Sequence, residues 1–259
     1  MRPVLRTAAT LSVFLAIACA GSAWALKSPG SFTPVPAQAS ATLSKLRVAV
    51  PFGPQAVCQP GETRAVLGYL QYIIPPNDRY FTHINPSMCT TCSQGVIDIL
   101  AGHMGIYFPA ACQTVIAVSV VGAKPTAANP GCLVPDESNV LCGPLTYTVT
   151  PPAAGGYDVA LPLPAGCCIS GEAFLCFNFL ASDCDPASDQ LGIFATVAPC
   201  NPCESWNFYP LGAGTAQDDL CNVFSQYGAG NLYMYADADC CNSTPTRHGT
   251  WGGLKTIYR

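Results

Sequence analysis

The sequence has 259 residues, half of them hydrophobic and only 10 % charged, with 23 glycines, 24 prolines, 16 cysteines and a formal net charge of −4. No run of Lys or Arg occurs, so the electrostatic footprint of a nucleic-acid-binding protein is missing. The apolar content excludes a disordered chain, and the abundance of Gly, Pro and Cys excludes an architecture of long helices.

At the N-terminus, Arg2 and Arg6 precede an apolar run at 11–18 and then Ala23-Trp24-Ala25. This is the basic, apolar and small-x-small layout of a secretory signal, so residues 1–25 are expected to be removed by cleavage near Ala25. The alternative, lipidation at Cys19, lacks the Leu usual three residues before such a cysteine. The apolar run is short of the ~20 residues a spanning helix needs, and no later stretch of that length is free of Pro, Gly or charge; no transmembrane segment is expected. Residues 26–44, rich in Pro, Ser, Ala and Thr, read as a leader or linker.

From there to residue 245 the pattern is that of a β-sandwich domain, as one unit or two subdomains. Strands are predicted over 47–52, 64–74, 96–100, 104–108, 114–121, 145–150, 157–163, 173–180, 192–197 and 231–236. Each is rich in Val, Ile, Phe, Tyr or Thr and bounded by Gly, Pro, Asn or Asp. The 64–74 stretch also fits a helix through Val66, Leu70 and Ile73, but its β-branched and aromatic content favours a strand. Only 250–259 has helical spacing, with Trp251, Leu254 and Ile257 or Tyr258 on one face; residues 246–259 are therefore read as a tail with a short helix.

Fifteen cysteines lie beyond the signal: Cys58, Cys89, Cys92, Cys112, Cys132, Cys142, Cys167, Cys168, Cys176, Cys184, Cys200, Cys203, Cys221, Cys240 and Cys241. In an exported chain this density reads as a disulfide framework, and the odd count leaves at least one thiol over. Cys89-Thr-Thr-Cys92 and Cys200-Asn-Pro-Cys203 have the spacing of half a zinc site or a dithiol redox motif. They lie too far apart for a zinc ribbon and lack the flanking βαβ pattern of a redox centre, so structural disulfides are favoured. Adjacent residues in a strand point to opposite faces, so the doublets Cys167-Cys168 and Cys240-Cys241 are expected to tie different neighbours.

The order of segments from Gly95 to Leu180 resembles the jelly-roll modules appended to bacterial secreted enzymes and surface proteins. It runs through the Gly131 to Pro135 loop, Tyr147-Thr-Val, Tyr157-Asp-Val-Ala-Leu-Pro-Leu-Pro and Phe174-Leu-Cys-Phe-Asn-Phe. The C-terminal part is similar to uncharacterised bacterial secreted proteins, through Ser205-Trp206-Asn207, Gly230-Asn231-Leu232, the run 236–241 and the ending 250–259. The resemblance implies an all-β, disulfide-rich, jelly-roll-like sandwich in a bacterial source, and no activity. Asn242-Ser243-Thr244 matches an N-glycosylation acceptor, which carries no meaning in a bacterium.

Chemistry is sparse. His83, His103 and His248 form no metal-binding spacing, and no Gly-x-Ser-x-Gly elbow occurs. Asp98 and His103 are near in sequence but no nucleophile is identified, so His103 reads as an exposed strand or turn residue. Asp183, Asp185 and Asp189 gather in one turn as a candidate calcium site, against the plainer reading of solvated turn formers. Asp218, Asp219, Asp237 and Asp239 read as solubilising acids. Trp206 and Tyr209, with Phe208 between, are candidate glycan-stacking rings, against core packing. The expectation is a secreted, non-enzymatic extracellular or cell-surface module for an unidentified ligand, glycan or another surface protein, with no cofactor unless calcium; an extracellular hydrolase is the alternative.

Overall fold

The structure is a computed structural model and describes residues 32–35, 43–47, 56–71, 74–126, 130–184, 190–211 and 214–241. The signal segment, Asp185, Asp189, Asn242, His248 and the tail with its helix lie outside the described residues. In chain order the strands are β1 (Phe32–Pro34), β2 (Ser44–Arg47), β3 (Gly61–Glu62), β4 (Val66–Gln71), β5 (Asp78–Ile84), β6 (Ile97–Phe108), β7 (Thr114–Pro125) and β8 (Leu133–Val149). They continue with β9 (Gly155–Pro162), β10 (Cys168–Ile169), β11 (Ala173–Ser182), β12 (Gly192–Val197), β13 (Ser205–Leu211), β14 (Gly214–Asp219), β15 (Ala229–Leu232) and β16 (Met234–Cys240); one short helix, α1 (Leu220–Phe224), precedes β15.

These strands form two sheets. The smaller has the order β14-β13-β5-β11-β7-β8, and the larger contains ten strands centred on β6. One side of β6 carries β16 and then β12, and the other carries β10 and then β9. The core lies between the sheets, where Met104, Ile106 and Phe108 of β6 and Val159 and Leu161 of β9 belong to the same buried cluster as Leu175 and Phe177 of β11 and Ile116 and Val118 of β7. The result is a disulfide-rich all-β sandwich, as the strand spacing and cysteine density imply.

Several elements depart from the sequence expectation: β5, β13 and β14 lie outside the expected strands, β8 begins earlier than its expected strand, and two further departures concern β6 and β1. The segments 96–100 and 104–108 are one continuous strand, because β6 carries an irregularity where its register with β16 shifts between Ala101 and Ile99. Ile97 and Ile99 point into the core on one side of the shift and Met104, Ile106 and Phe108 on the other, so the extra residue reverses the alternation and turns His103 to the outer face. In the segment read as a leader, Phe32–Pro34 pairs with β4, and Val35 N–H donates to the Leu67 carbonyl at 2.9 Å. The 64–74 ambiguity resolves as the strand Val66–Gln71.

Seven disulfides cross-link the sandwich: Cys58–Cys89, Cys92–Cys240, Cys112–Cys184, Cys132–Cys203, Cys142–Cys167, Cys168–Cys241 and Cys200–Cys221. Neither Cys-x-x-Cys motif closes on itself, and each doublet ties two separate partners. The odd thiol is Cys176, buried on β11, and burial pushes its pKa up to about 12, so it stays a protonated, unreactive packing group.

Candidate functional site

Two polar centres stand out from the apolar sandwich. The first is on the outer face of the large sheet, where β9, β6 and β16 run side by side. His103 Nδ1 lies 3.0 Å from Asp158 Oδ1 and its Nε2 lies 3.0 Å from Asp237 Oδ2. Tyr235, directly opposite His103 in the ladder, stacks on the imidazole at 4.4 Å and donates its hydroxyl to Asp158 Oδ2 at 2.8 Å. Gln59 Nε2 donates to the other oxygen of Asp237 at 2.9 Å.

His103 lies on a strand but is 2 % exposed, so in the expectation of an exposed strand or turn residue the exposure is overturned. Burial works against charging the imidazole, yet the hydrogen bonds and charges of Asp158 and Asp237 outweigh it and raise its pKa above the ordinary value. Burial likewise opposes ionisation of Asp237, but its bond to His103 prevails and lowers its pKa. The carboxylate partners are cross-strand neighbours, and Asp98 is not one of them. Both ring nitrogens are engaged by carboxylates, leaving none to take a proton from a substrate.

The second centre is a cleft of about 320 Å³ at one end of the sandwich, lined by Gly61, Glu62, Thr82, His83, Asn85, Ser87, Met88, Asn201, Glu204 and Asn231. Its walls come from four places: β3, the end of β5 with the following turn Pro86–Met88, the 201–204 loop, and β15. At Gly61 (φ +113°) a Cβ would come within 2.8 Å of the Met234 carbonyl oxygen, so only glycine lets β3 lie this close to β16. Both Cys-x-x-Cys motifs hold this wall. Cys89 follows Met88 directly, while Cys200 and Cys203 bracket Asn201 and precede Glu204; their four bridges run to Cys58, Cys240, Cys221 and Cys132.

Most polar side chains of the cleft are engaged by one another. Arg64 donates to both oxygens of Glu62, to the Pro199 carbonyl at 2.7 Å and to Asn231 Oδ1 at 3.4 Å. Asn231 is clamped to the backbone of Asn201 by two bonds of 2.8 Å. Asn85 Oδ1 caps the turn at the Ser87 N–H, and its Nδ2 donates to Glu172 at 3.0 Å. By contrast, His83 stands between Glu204, 3.3 Å from Nδ1, and Glu172, 3.7 Å from Nε2, and that Nε2 is buried with no hydrogen-bond partner. Thr82 is 1 % exposed and lines the cleft.

The residues singled out by sequence fall elsewhere. Trp206 is 8 % exposed and donates its indole N–H to the Cys203 carbonyl at 3.2 Å; with Phe208 it joins Phe81, Phe174 and Cys176 in a second apolar cluster on the outer face of the small sheet. Tyr209 is also buried, with its hydroxyl donating to Asp218 at 3.0 Å. Neither ring offers a flat face to solvent. Asp183 accepts from the Gln113 N–H, and the neighbouring Cys112 and Cys184 are bonded to each other and unavailable as ligands. Asp219 is no surface acid: it caps α1 at the Cys221 N–H (3.0 Å) and holds the Cys203 N–H (2.9 Å).

Sequence reasoning missed the cleft because its residues are single polar side chains from distant segments. The signal that could have found it was the Cys-Asn-Pro-Cys-Glu run, whose cysteines fix a polar loop. No family model and no curated protein sequence matches the chain. A crystal structure of the cysteine protease and lectin-like domains of a surface-layer-associated protein of Clostridium difficile is similar over 71 % of this chain and 36 % of that one, at 12 % identity and a TM-score of 0.43. At that level the likeness assigns no function.

Proposed function

We propose that the protein is an exported, non-catalytic binding module that works outside the cell and holds a glycan end group in the cleft between β3, β5 and the 201–204 loop. Seven disulfides persist only in an oxidising compartment, which supports export in the manner the signal layout implies. The observation that carries the ligand assignment is the lining of the cleft: Glu62, Asn85, Asn201, Glu204 and Asn231 set carboxylate and amide groups around a volume suited to a small ligand. Hydroxyl-bearing ligands supply donors and acceptors at once, which fits this mixture. The exposed thioether of Met88 adds an apolar patch for the face of a sugar ring.

A glycan array probed with the oxidised protein tests this reading. Retention of defined saccharides is expected, and Thr82→Val should weaken it about fivefold to thirtyfold by stranding a ligand hydroxyl. Retention unchanged in Thr82→Val, or no retention at all, overturns the cleft as the site. Turnover of a glycoside, ester or peptide panel would overturn its non-catalytic part and favour an extracellular hydrolase.

A further inference from the structure

We propose that the Cys168–Cys241 bridge is a thiol-exchange site, at which an external thiol becomes joined to Cys168, and that the site favours cationic over anionic thiols. Exchange needs a thiolate to reach one of the two sulfurs, so access decides which bridge opens first. In each of the other six bridges at least one cysteine is buried. Here neither is: Cys168 is exposed and Cys241 is half-buried. The neighbouring Cys92–Cys240 bridge keeps the end of β16 fastened, so the sandwich survives the opening.

The surroundings select the charge of the thiol. Cys168 pairs with Asp98 in the ladder of β10 and β6, and Asp98 pairs with Asp239 in that of β6 and β16. Their neighbours Ile97, Ile99, Ile169 and Ala238 face the core, so the three side chains lie in one row on the outer face. Cys241 follows Asp239 by two residues, and its N–H donates to the Val96 carbonyl at 3.1 Å. Asp98 accepts from the N–H groups of Cys167 and Gly166, while its Oδ1 is buried with no hydrogen-bond partner. Among the described residues no Lys, Arg or His forms an ion pair with either carboxylate. The pair therefore repels an anionic thiol and attracts a cationic one. In the exchange the incoming thiolate bonds to Cys168 Sγ and the Sγ–Sγ bond breaks. The electron pair leaves on Cys241 Sγ, which takes a proton from water. A dithiol goes one step further: its second thiolate attacks the partner sulfur of the mixed disulfide, which oxidises the partner and releases Cys168 as a thiolate.

The test is brief exposure of the intact, oxidised protein to cysteamine or to mercaptoethanesulfonate in mildly alkaline, low-salt buffer, then acid quenching, alkylation and peptide mapping. Each rate is divided by that of the same thiol on a small neutral disulfide. The first adduct should sit on Cys168, with Cys241 alkylated and the other six bridges intact. Cysteamine should be favoured about threefold to tenfold, an advantage lost at high salt and reduced in Asp98→Asn and in Asp239→Asn. The double variant Cys168→Ser, Cys241→Ser should keep its cooperative melt and lose the fast phase of exchange. First opening at any other bridge, or a fast phase that persists in the double variant, overturns the site. Opening at Cys168 with equal normalised rates for the two thiols overturns the charge preference.

Discussion

At the scale of single residues, His103 couples three strands through one ring. Replacing it with Gln would leave the buried Asp158 and the half-buried Asp237 without their cation, and breaking a buried ion pair in this way costs about 3 to 5 kcal/mol. Urea denaturation should show this as a lowered midpoint with an unchanged slope. The pH dependence has a defined sign. Because the pKa of His103 is raised on folding, its stabilisation is complete below the ordinary imidazole value of about 6.5 and is lost as pH rises through the higher folded value. Asp237, with a lowered pKa, contributes above the ordinary carboxylate range and loses its contribution as pH falls through the folded value. Melting temperature should therefore fall on the alkaline side of neutrality in the native protein, and His103→Gln should flatten that limb; a native profile with no alkaline decline would remove the imidazolium from the account. Tyr235→Phe should cost about 1 to 3 kcal/mol by leaving Asp158 one donor short.

The elements show how far alternation in the sequence carries and where it stops. Strands such as Gly192–Val197 and Ala173–Ser182 were legible because their apolar runs end at turn residues. The single strand β6 reads as two because its irregularity between Ile99 and Ala101 shifts the inward positions by one, and the break in phase looks like a loop. Strand β5 (Asp-Arg-Tyr-Phe-Thr-His-Ile) and strand β14 (Gly-Thr-Ala-Gln-Asp-Asp) were illegible: polar residues that satisfy each other across strands have no period of their own. Asp78 illustrates this, since it is buried and accepts from Asn207 Nδ2 at 2.6 Å and from the Tyr80 hydroxyl at 3.1 Å. The same limit hid the cleft, half of whose polar wall comes from β5 and the turn that follows it. A prediction belongs to β6: a Cβ at Gly102 would meet Leu175 at 2.8 Å and Phe177 at 2.9 Å, so Gly102→Val should destabilise by about 1 to 3 kcal/mol through overpacking. The neighbouring Ala101→Gly, which adds no volume, is the control, and equal effects would contradict the packing argument.

Across the whole molecule the disulfides form connected runs. Cys142–Cys167 adjoins Cys168–Cys241, which adjoins Cys240–Cys92, and Cys89, three residues before Cys92, continues to Cys58. A second run joins Cys132–Cys203 to Cys200–Cys221. Each bridge contributes on the order of 2 to 4 kcal/mol by restricting the unfolded chain, so together they exceed the ~5 to 15 kcal/mol margin of an ordinary domain. Full reduction and alkylation should abolish the cooperative melt, and persistence of the native transition would contradict a framework role. Cys176→Ser should leave the melt within a few degrees, since the thiol bonds to nothing but its packing neighbours and Ser119.

The order of pairing also bears on how the chain is made. Only Cys58–Cys89 and Cys142–Cys167 join cysteines that are consecutive along the sequence; the other five bridges skip over at least one. An oxidase acting on the polypeptide as it emerges would join neighbours first, giving Cys92–Cys112 and Cys168–Cys176, neither of which is native. Those mispairs must be undone by thiolate exchange before the sheets can close, and Cys240 and Cys241 arrive after most of the other sulfurs have already met an oxidant. Biogenesis of this protein therefore calls for an isomerase as much as for an oxidase. Recombinant export into a host lacking disulfide isomerase should yield a ladder of mispaired species on non-reducing gels, which restoring the isomerase collapses to one band.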